Sequence, residues 1–204
     1  MKYNVIIFDL DGTILDDQQR HYECYKDIVS EYGGKCVNIN DYWKMKRNKV
    51  GREELLDRTG FEGSAQQFLD SWILKIEDTK YLKYQRVKAG VCNVLDYIKH
   101  EKGTILLMTM RKNKNILYKQ ISELGLLHYF DDIIIGKSID LLDEKTVNEK
   151  NVLVVGDTED DMILAHSISA DFLAVTSGIR SEKYLKANYY IDQWKLDSVI
   201  KLLN

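Results

Sequence analysis

The sequence predicts an α/β fold: a doubly wound parallel sheet into which an all-helical segment is inserted. Three observations support this. Short, almost wholly apolar runs occur at residues 5–8, 104–108, 133–135, 152–155 and 172–175, the pattern of strands covered on both faces. Stretches of helical periodicity separate the later runs, and strands alternating with helices make a parallel sheet. Residues 18–88, between the first run and the rest, show no strand pattern. The expected division is an α/β core of residues 1–17 and 89–204 and a helical insertion of residues 18–88.

The first strand, Val5-Ile6-Ile7-Phe8, runs directly into Asp9-Leu10-Asp11-Gly12-Thr13. Side chains two apart on an extended chain share a face, so Asp9 and Asp11 look into one space while Leu10 turns into the protein. Gly12 lets the backbone leave sharply. After Asp16-Asp17, Tyr22, Tyr25, Val29 and Tyr32 recur at helical spacing, and Gly33-Gly34 ends the run. Asn40 is placed to cap a second helix over residues 41–49, and residues 52–59 form a third before Gly60. Ser64 caps a longer helix with Phe68, Trp72, Ile73 and Ile76 on one face. An insertion of this length is short for an independent domain and suits a lid. It holds 14 lysines and arginines against 11 aspartates and glutamates, net +3, in a chain of net charge −3. A solvated surface explains that balance, and so does a role for Lys46, Arg47, Lys49 or Arg52 over an anionic substrate.

From Gly90 the alternation resumes, with Val91, Val94, Leu95 and Ile98 marking a helix face that ends at Lys102-Gly103. The strand at 104–108 delivers Thr109, Met110 and Arg111, and Leu117, Ile121 and Leu124 mark a helix stopped by Gly125. The strand at 133–135 ends at Gly136-Lys137, and the one at 152–155 runs into Gly156-Asp157. A helix over residues 159–169 leads to the last run and a turn at Ser177-Gly178. Four strand ends thus each bear a polar feature: Asp9-x-Asp11, Thr109, Lys137 and Gly156-Asp157-x-x-x-Asp161. In open parallel sheets that edge is where ligands bind. Close carboxylates repel unless a cation neutralises them, and oxygen-only ligands suit a hard ion such as Mg2+, which calls for an anionic substrate. Each piece alone has a plainer reading: a polar turn for Asp-x-Asp-Gly, a β-favouring residue for Thr109, an acidic first helical turn for Glu159-Asp160-Asp161.

Composition narrows the classes. With 204 residues, 45% of them hydrophobic, the chain can bury a sizeable core. Net charge −3 speaks against bulk attraction to nucleic acid or membranes, and no run approaches transmembrane length. No signal-peptide pattern is present, so a cytoplasmic location is expected. Cys24, Cys36 and Cys92 lack disulfide or zinc spacing and read as buried thiols. His21, His100, His128 and His166 fall outside every motif, and monomer and homodimer are both open. Proline is absent, so turns rest on Gly, Asn, Asp and Ser.

With a hydrophobic strand leading into Asp-Leu-Asp-Gly-Thr, then Thr109, Lys137 and Gly156-Asp157-x-x-x-Asp161 in that order, the sequence resembles the haloacid dehalogenase superfamily. The resemblance points to its phosphoglycolate phosphatase-like and β-phosphoglucomutase-like branch, with a Rossmann-like core and a helical cap. It implies Asp9 as the nucleophile that forms an aspartyl phosphate, and Asp11 as acid and then base. Thr109 would donate to a phosphoryl oxygen and a lysine would neutralise charge. It further implies Mg2+ held by Asp9, the main-chain carbonyl of Asp11 and Asp157, with Asp161 orienting those ligands and Asp160 able to share that role. Gly12, Met110 and Arg111 are candidates for phosphate or substrate contact, although Arg111 reads equally as solvating a loop. In Val50-Gly51-Arg52-Glu53, Arg52 is the candidate for holding substrate. The lysine departs from the family pattern of Lys-Pro followed by a full helix before Gly-Asp: there is no proline, and Lys137 and Lys145 compete. The tail Gly178-Ile179-Arg180-Ser181-Glu182, with Tyr190-Ile191-Asp192, resembles the end of phosphoglycolate-phosphatase-like members. The activity implied is magnesium-dependent hydrolysis of a small phosphorylated metabolite. A sugar phosphomutase and a non-catalytic phosphate-binding or phospho-accepting module are the alternatives.

Overall fold

Strand β1 (Val5–Phe8) is buried along its whole length between two parallel neighbours, β4 (Thr104–Thr109) and β6 (Val152–Gly156). The computed structural model describes residues 1–143, Thr146 and 151–204. The chain divides into two compact units, Met1–Asp16 with Arg86–Asn204, and Asp17–Gln85.

In the first unit β5 (Asp132–Ile135), β7 (Asp171–Val175) and β8 (Tyr189–Ile191) complete a six-stranded parallel sheet in the order β5-β4-β1-β6-β7-β8. The chain builds outward from β1 in one direction through β4 and β5 and in the other through β6, β7 and β8, so β1 marks the switch point. The two faces follow from strand alternation. Ile6, Phe8, Leu107 and Val155 pack with residues of α6 (Val91–His100), α7 (Lys114–Glu123) and α9 (Leu196–Leu203). Their neighbours Val5, Ile7, Met108 and Val154 pack with Leu164 and Ala165 of α8 (Glu159–Ser167). Strand β2 (Leu15–Asp16) pairs antiparallel with β3 (Arg86–Val87), a two-residue strand where no strand pattern was expected.

Among the described residues the sheet has one strand more than the five expected. Strand β8 is short and alternates between a half-buried Tyr189, an exposed Tyr190 and a buried Ile191, so it lacks the continuous apolar run of a central strand. Helix α9 was likewise not anticipated.

The second unit is helical: α1 (Gln18–Glu31), α2 (Ile39–Arg47), α3 (Arg52–Asp57), α4 (Ala65–Lys75) and α5 (Thr79–Leu82). Its centre is aromatic, with Tyr25 stacked on Tyr42 at 4.4 Å and Phe68 against Tyr25 at 6.4 Å. Ser64 forms a capping box with Gln67. The cap of α2 is Asn38, not Asn40: Asn38 Oδ1 accepts from the Asp41 N–H at 2.9 Å, and Lys49 lies past the helix at φ +56°. Helix α3 ends at Asp57. Ile73, expected on the packed face of α4, is 51% exposed. Cys24 is buried, whereas Cys36 and Cys92 are only half-buried. His21 is buried on α1 with Nε2 3.0 Å from Asp17 Oδ2, and the other three histidines are exposed. Among the described residues no helix is long and apolar enough to cross a membrane.

Candidate active site

Register brings the strand ends level. Phe8 lies opposite Leu107 and Val155, Thr109 opposite Ile135, and the Asp9 N–H donates to the Val155 carbonyl at 2.9 Å. The residues following each strand therefore meet at the carboxyl edge beside β1. Asp9, Asp157 and Asp161 are 5%, 0% and 2% exposed, and each offers a carboxylate oxygen within 4.8 Å of the others. Lys137 bridges two of them, with Nζ 2.8 Å from Asp9 Oδ1 and 2.7 Å from Asp161 Oδ1.

The backbone is shaped around Asp157. Gly12 turns at φ +84°, and a Cβ there would fall 2.2 Å from Asp157 Oδ2. A Cβ at Gly178 would meet the same atom at 2.2 Å. Thr13 Oγ1 donates to Asp157 Oδ1 at 3.1 Å and the Ile179 N–H to Oδ2 at 2.5 Å. Asp161 closes the first turn of α8, accepting from the N–H groups of Asp157 at 3.2 Å and Thr158 at 3.0 Å. Its Oδ2 thus completes a capping box with the N-cap Thr158 while Oδ1 faces Lys137.

Burial dominates the electrostatics. It pushes Asp157 up to about 7, helped by the charge of Asp161, against the Ile179 N–H and Lys137. Asp9 is likewise raised by burial, which Lys137 opposes and Asp161 and Asp157 reinforce. Burial works against the charge of Lys137, yet Asp9 and Asp161 outweigh it and raise its pKa. Three carboxylates gathered about one ammonium carry, once ionised, an excess of negative charge that a divalent cation would balance. All the donors are hard oxygens, and the cradle has no room for a side chain at Gly12 or Gly178, so the residues fit a magnesium ion.

The other expected residues divide. Thr109 is buried at the strand end, where its Oγ1 accepts the Arg111 N–H at 3.3 Å. Asp11 turns its carboxylate to Arg111, which pairs with both oxygens. Arg111 is thus not a solvated loop residue: it is 3% exposed. Met110 is 57% exposed, and Asp160 is exposed. Arg52 opens α3 in the helical unit, where it lines a cavity of about 250 Å³ with Lys46, Tyr42, Phe68 and Trp72. Lys145 lies outside the described residues. Sequence reasoning missed the roles of Thr13 and of Lys88, whose Nζ donates to the Gly12 carbonyl and lies 3.1 Å from Ser177 Oγ. The fifth letter of Asp-Leu-Asp-Gly-Thr was the available signal for Thr13. Nothing in the sequence marks Lys88.

The family model of the haloacid dehalogenase-like hydrolases matches residues 6–175. The chain belongs to this family. Among its relatives is a Caldanaerobacter subterraneus protein provisionally named pyrophosphatase PpaX, 26% identical over 98% of this chain and 96% of the relative. A phosphoglycolate phosphatase of Vibrio cholerae is 22% identical over 85% of this chain and 84% of its own length. Among solved structures, a predicted phosphatase from Clostridium acetobutylicum has the same fold, with a TM-score of 0.72, 23% identity and 98% of both chains covered. Family membership and the aspartate cluster make the chain a hydrolase with a helical cap inserted in its core.

Proposed function

We propose that this hydrolase is a magnesium-dependent phosphatase of a small phosphorylated metabolite, working through an aspartyl phosphate on Asp9. The observation that carries the reading is the Lys137 bridge between Asp9 and Asp161, which puts a buried cation on the carboxylate at the tip of the central strand. Lys137 opposes the burial that raises the Asp9 pKa, and so favours the ionised form that a carboxylate nucleophile needs. Asp9, Asp157 and the Asp11 carbonyl, with Asp161 beside them, would hold Mg2+, which when bound supplies positive charge to the phosphoryl oxygens.

An Asp9 oxygen attacks phosphorus and the ester P–O bond breaks, while Asp11 gives its proton to the leaving oxygen. Asp11 then takes a proton from water as that water attacks phosphorus. The Asp9–phosphorus bond breaks, releasing inorganic phosphate and restoring both carboxyls. Thr109 and Lys137 orient and neutralise the phosphoryl oxygens. The helical insertion, whose cavity joins Lys46 and Arg52 to aromatic walls, is the proposed selector of the leaving group. The names of the relatives agree on hydrolysis at phosphorus and differ in substrate, so the substrate is left to assay.

The test is phosphate release from a panel of phosphorylated metabolites with and without Mg2+. Wild type is expected to turn over only with the metal, and Asp9→Asn to be inactive while folded. An Asp9→Asn variant with the wild-type rate would end the reading. Conversion of a hexose phosphate to its isomer through a bisphosphate, without net phosphate release, would replace it with a phosphomutase.

A further inference from the structure

Arg111 spends its guanidinium inside the α/β unit. Nε donates to Asp11 Oδ2 at 2.7 Å and Nη2 to Asp11 Oδ1 at 2.6 Å, while Nη1 donates to Gln120 Oε1 on α7 at 2.7 Å. Its own N–H is tied to Thr109 Oγ1 at the end of β4. The Arg111 side chain is 2% exposed and that of Asp11 21%. A planar fork on both oxygens fixes the direction of the carboxylate in a way that one hydrogen bond, or a lysine, cannot.

We propose that Arg111 is the positioning residue for Asp11, aiming its carboxyl at the oxygen that leaves in the first half of the reaction and at the water that attacks in the second. This rests on the phosphatase reading. Gln120 acts one step further out, holding the fork square to Asp11.

The effect should track how much the leaving group needs a proton. Because kcat/KM reports only the steps up to departure of the leaving group, Arg111→Met is expected to lower kcat/KM on an alkyl phosphate by about 100-fold. On p-nitrophenyl phosphate, whose leaving group departs without protonation, the loss is expected to stay under about fivefold. Arg111→Lys should fall between wild type and Arg111→Met. Combining Arg111→Met with Asp11→Asn should cost no more than Asp11→Asn alone. An equal loss on both substrates, or losses that multiply in the double variant, would overturn the proposal. If Arg111→Met does not fold, Gln120→Leu takes its place in the same comparison, with a smaller loss of the same substrate dependence expected. If wild type releases phosphate from nothing, the phosphatase reading fails, and crystal structures of wild type and Arg111→Lys then decide the positioning role: an unchanged Asp11 orientation refutes it.

Discussion

Lys137 and Asp9 form a buried ion pair, Nζ to Oδ1 2.8 Å, with both side chains 5% exposed. Removing the ammonium takes away the charge that opposes burial, so the already raised pKa of Asp9 rises further, toward the neutral carboxyl, which is no nucleophile. Lys137→Met is therefore expected to lower kcat by about 10²–10³-fold. Loss of a buried partner costs stability too, about 3 kcal/mol. Steady-state kinetics and urea unfolding on one preparation check both figures, and a variant retaining wild-type kcat would remove Lys137 from the chemistry.

Asp157 gives a pH dependence of definite sign. Its carboxyl is raised by burial and by Asp161 from the ordinary 3.8 to about 7. A raised carboxyl favours the fold while protonated, so that contribution is complete below 3.8 and is lost as pH climbs through about 7. Asp9 adds with the same sign. Magnesium needs the ionised forms and releases their protons on binding. Melting scans at about pH 5.5 and about pH 8 should show a metal-free protein less stable at the higher pH, and a larger rise in Tm on adding Mg2+ there. Equal magnesium shifts at the two values would contradict this.

Gly178→Ala tests the cradle without touching a charge. The new methyl would sit 2.2 Å from Asp157 Oδ2, closer than any non-bonded contact, so the carboxylate must swing away. Magnesium affinity should fall by about 10–100-fold in titration calorimetry, the range for disturbing a ligand's support. An affinity within twofold of wild type would mean that the loop yields instead.

In the helical unit Asp17 receives His21 Nε2 at 3.0 Å and lies 3.6 Å from Arg20 Nε, all three side chains nearly buried. Burial lowers His21 below its ordinary 6.5, with Asp17 opposing. A lowered histidine supports the fold above that ordinary value and withdraws support as pH falls through it. Asp17→Ala is expected to destabilise the unit by about 3 kcal/mol. Hydrogen exchange should show α1 losing protection, most of all below about pH 6.5. Unchanged protection would show that Asp17 is dispensable there.

What could be read in advance was what local sequence expresses. Buried parallel strands are continuous apolar runs, so β1, β4, β6 and β7 announce themselves; β5 does so too, although it is a half-buried edge strand and not covered on both faces, and the polar residues at the strand ends follow by counting. Strand β8 is a short edge, half exposed, and its pairing with β7 leaves no mark along the chain. The Arg111–Asp11 fork joins residues 100 positions apart, and Lys88 reaches Gly12 across 76. Such contacts are set by the packing of the whole unit, to which periodicity is blind. The α2 cap was misplaced because Asn38 and Asn40 are chemically identical and only backbone geometry separates them.

Leu15 and Asp16, where the chain departs for its helical excursion, are paired with Val87 and Arg86, where it comes back. Exit and return are thus fastened side by side, and the parallel sheet is complete without anything the excursion contributes. A loop so stapled at its base can be lengthened, shortened or exchanged with little entropy to settle, since closure is already made. The architecture therefore reads as an exchangeable attachment on a fixed socket: the helices are free to change while the carboxylate cluster of the α/β unit stays put.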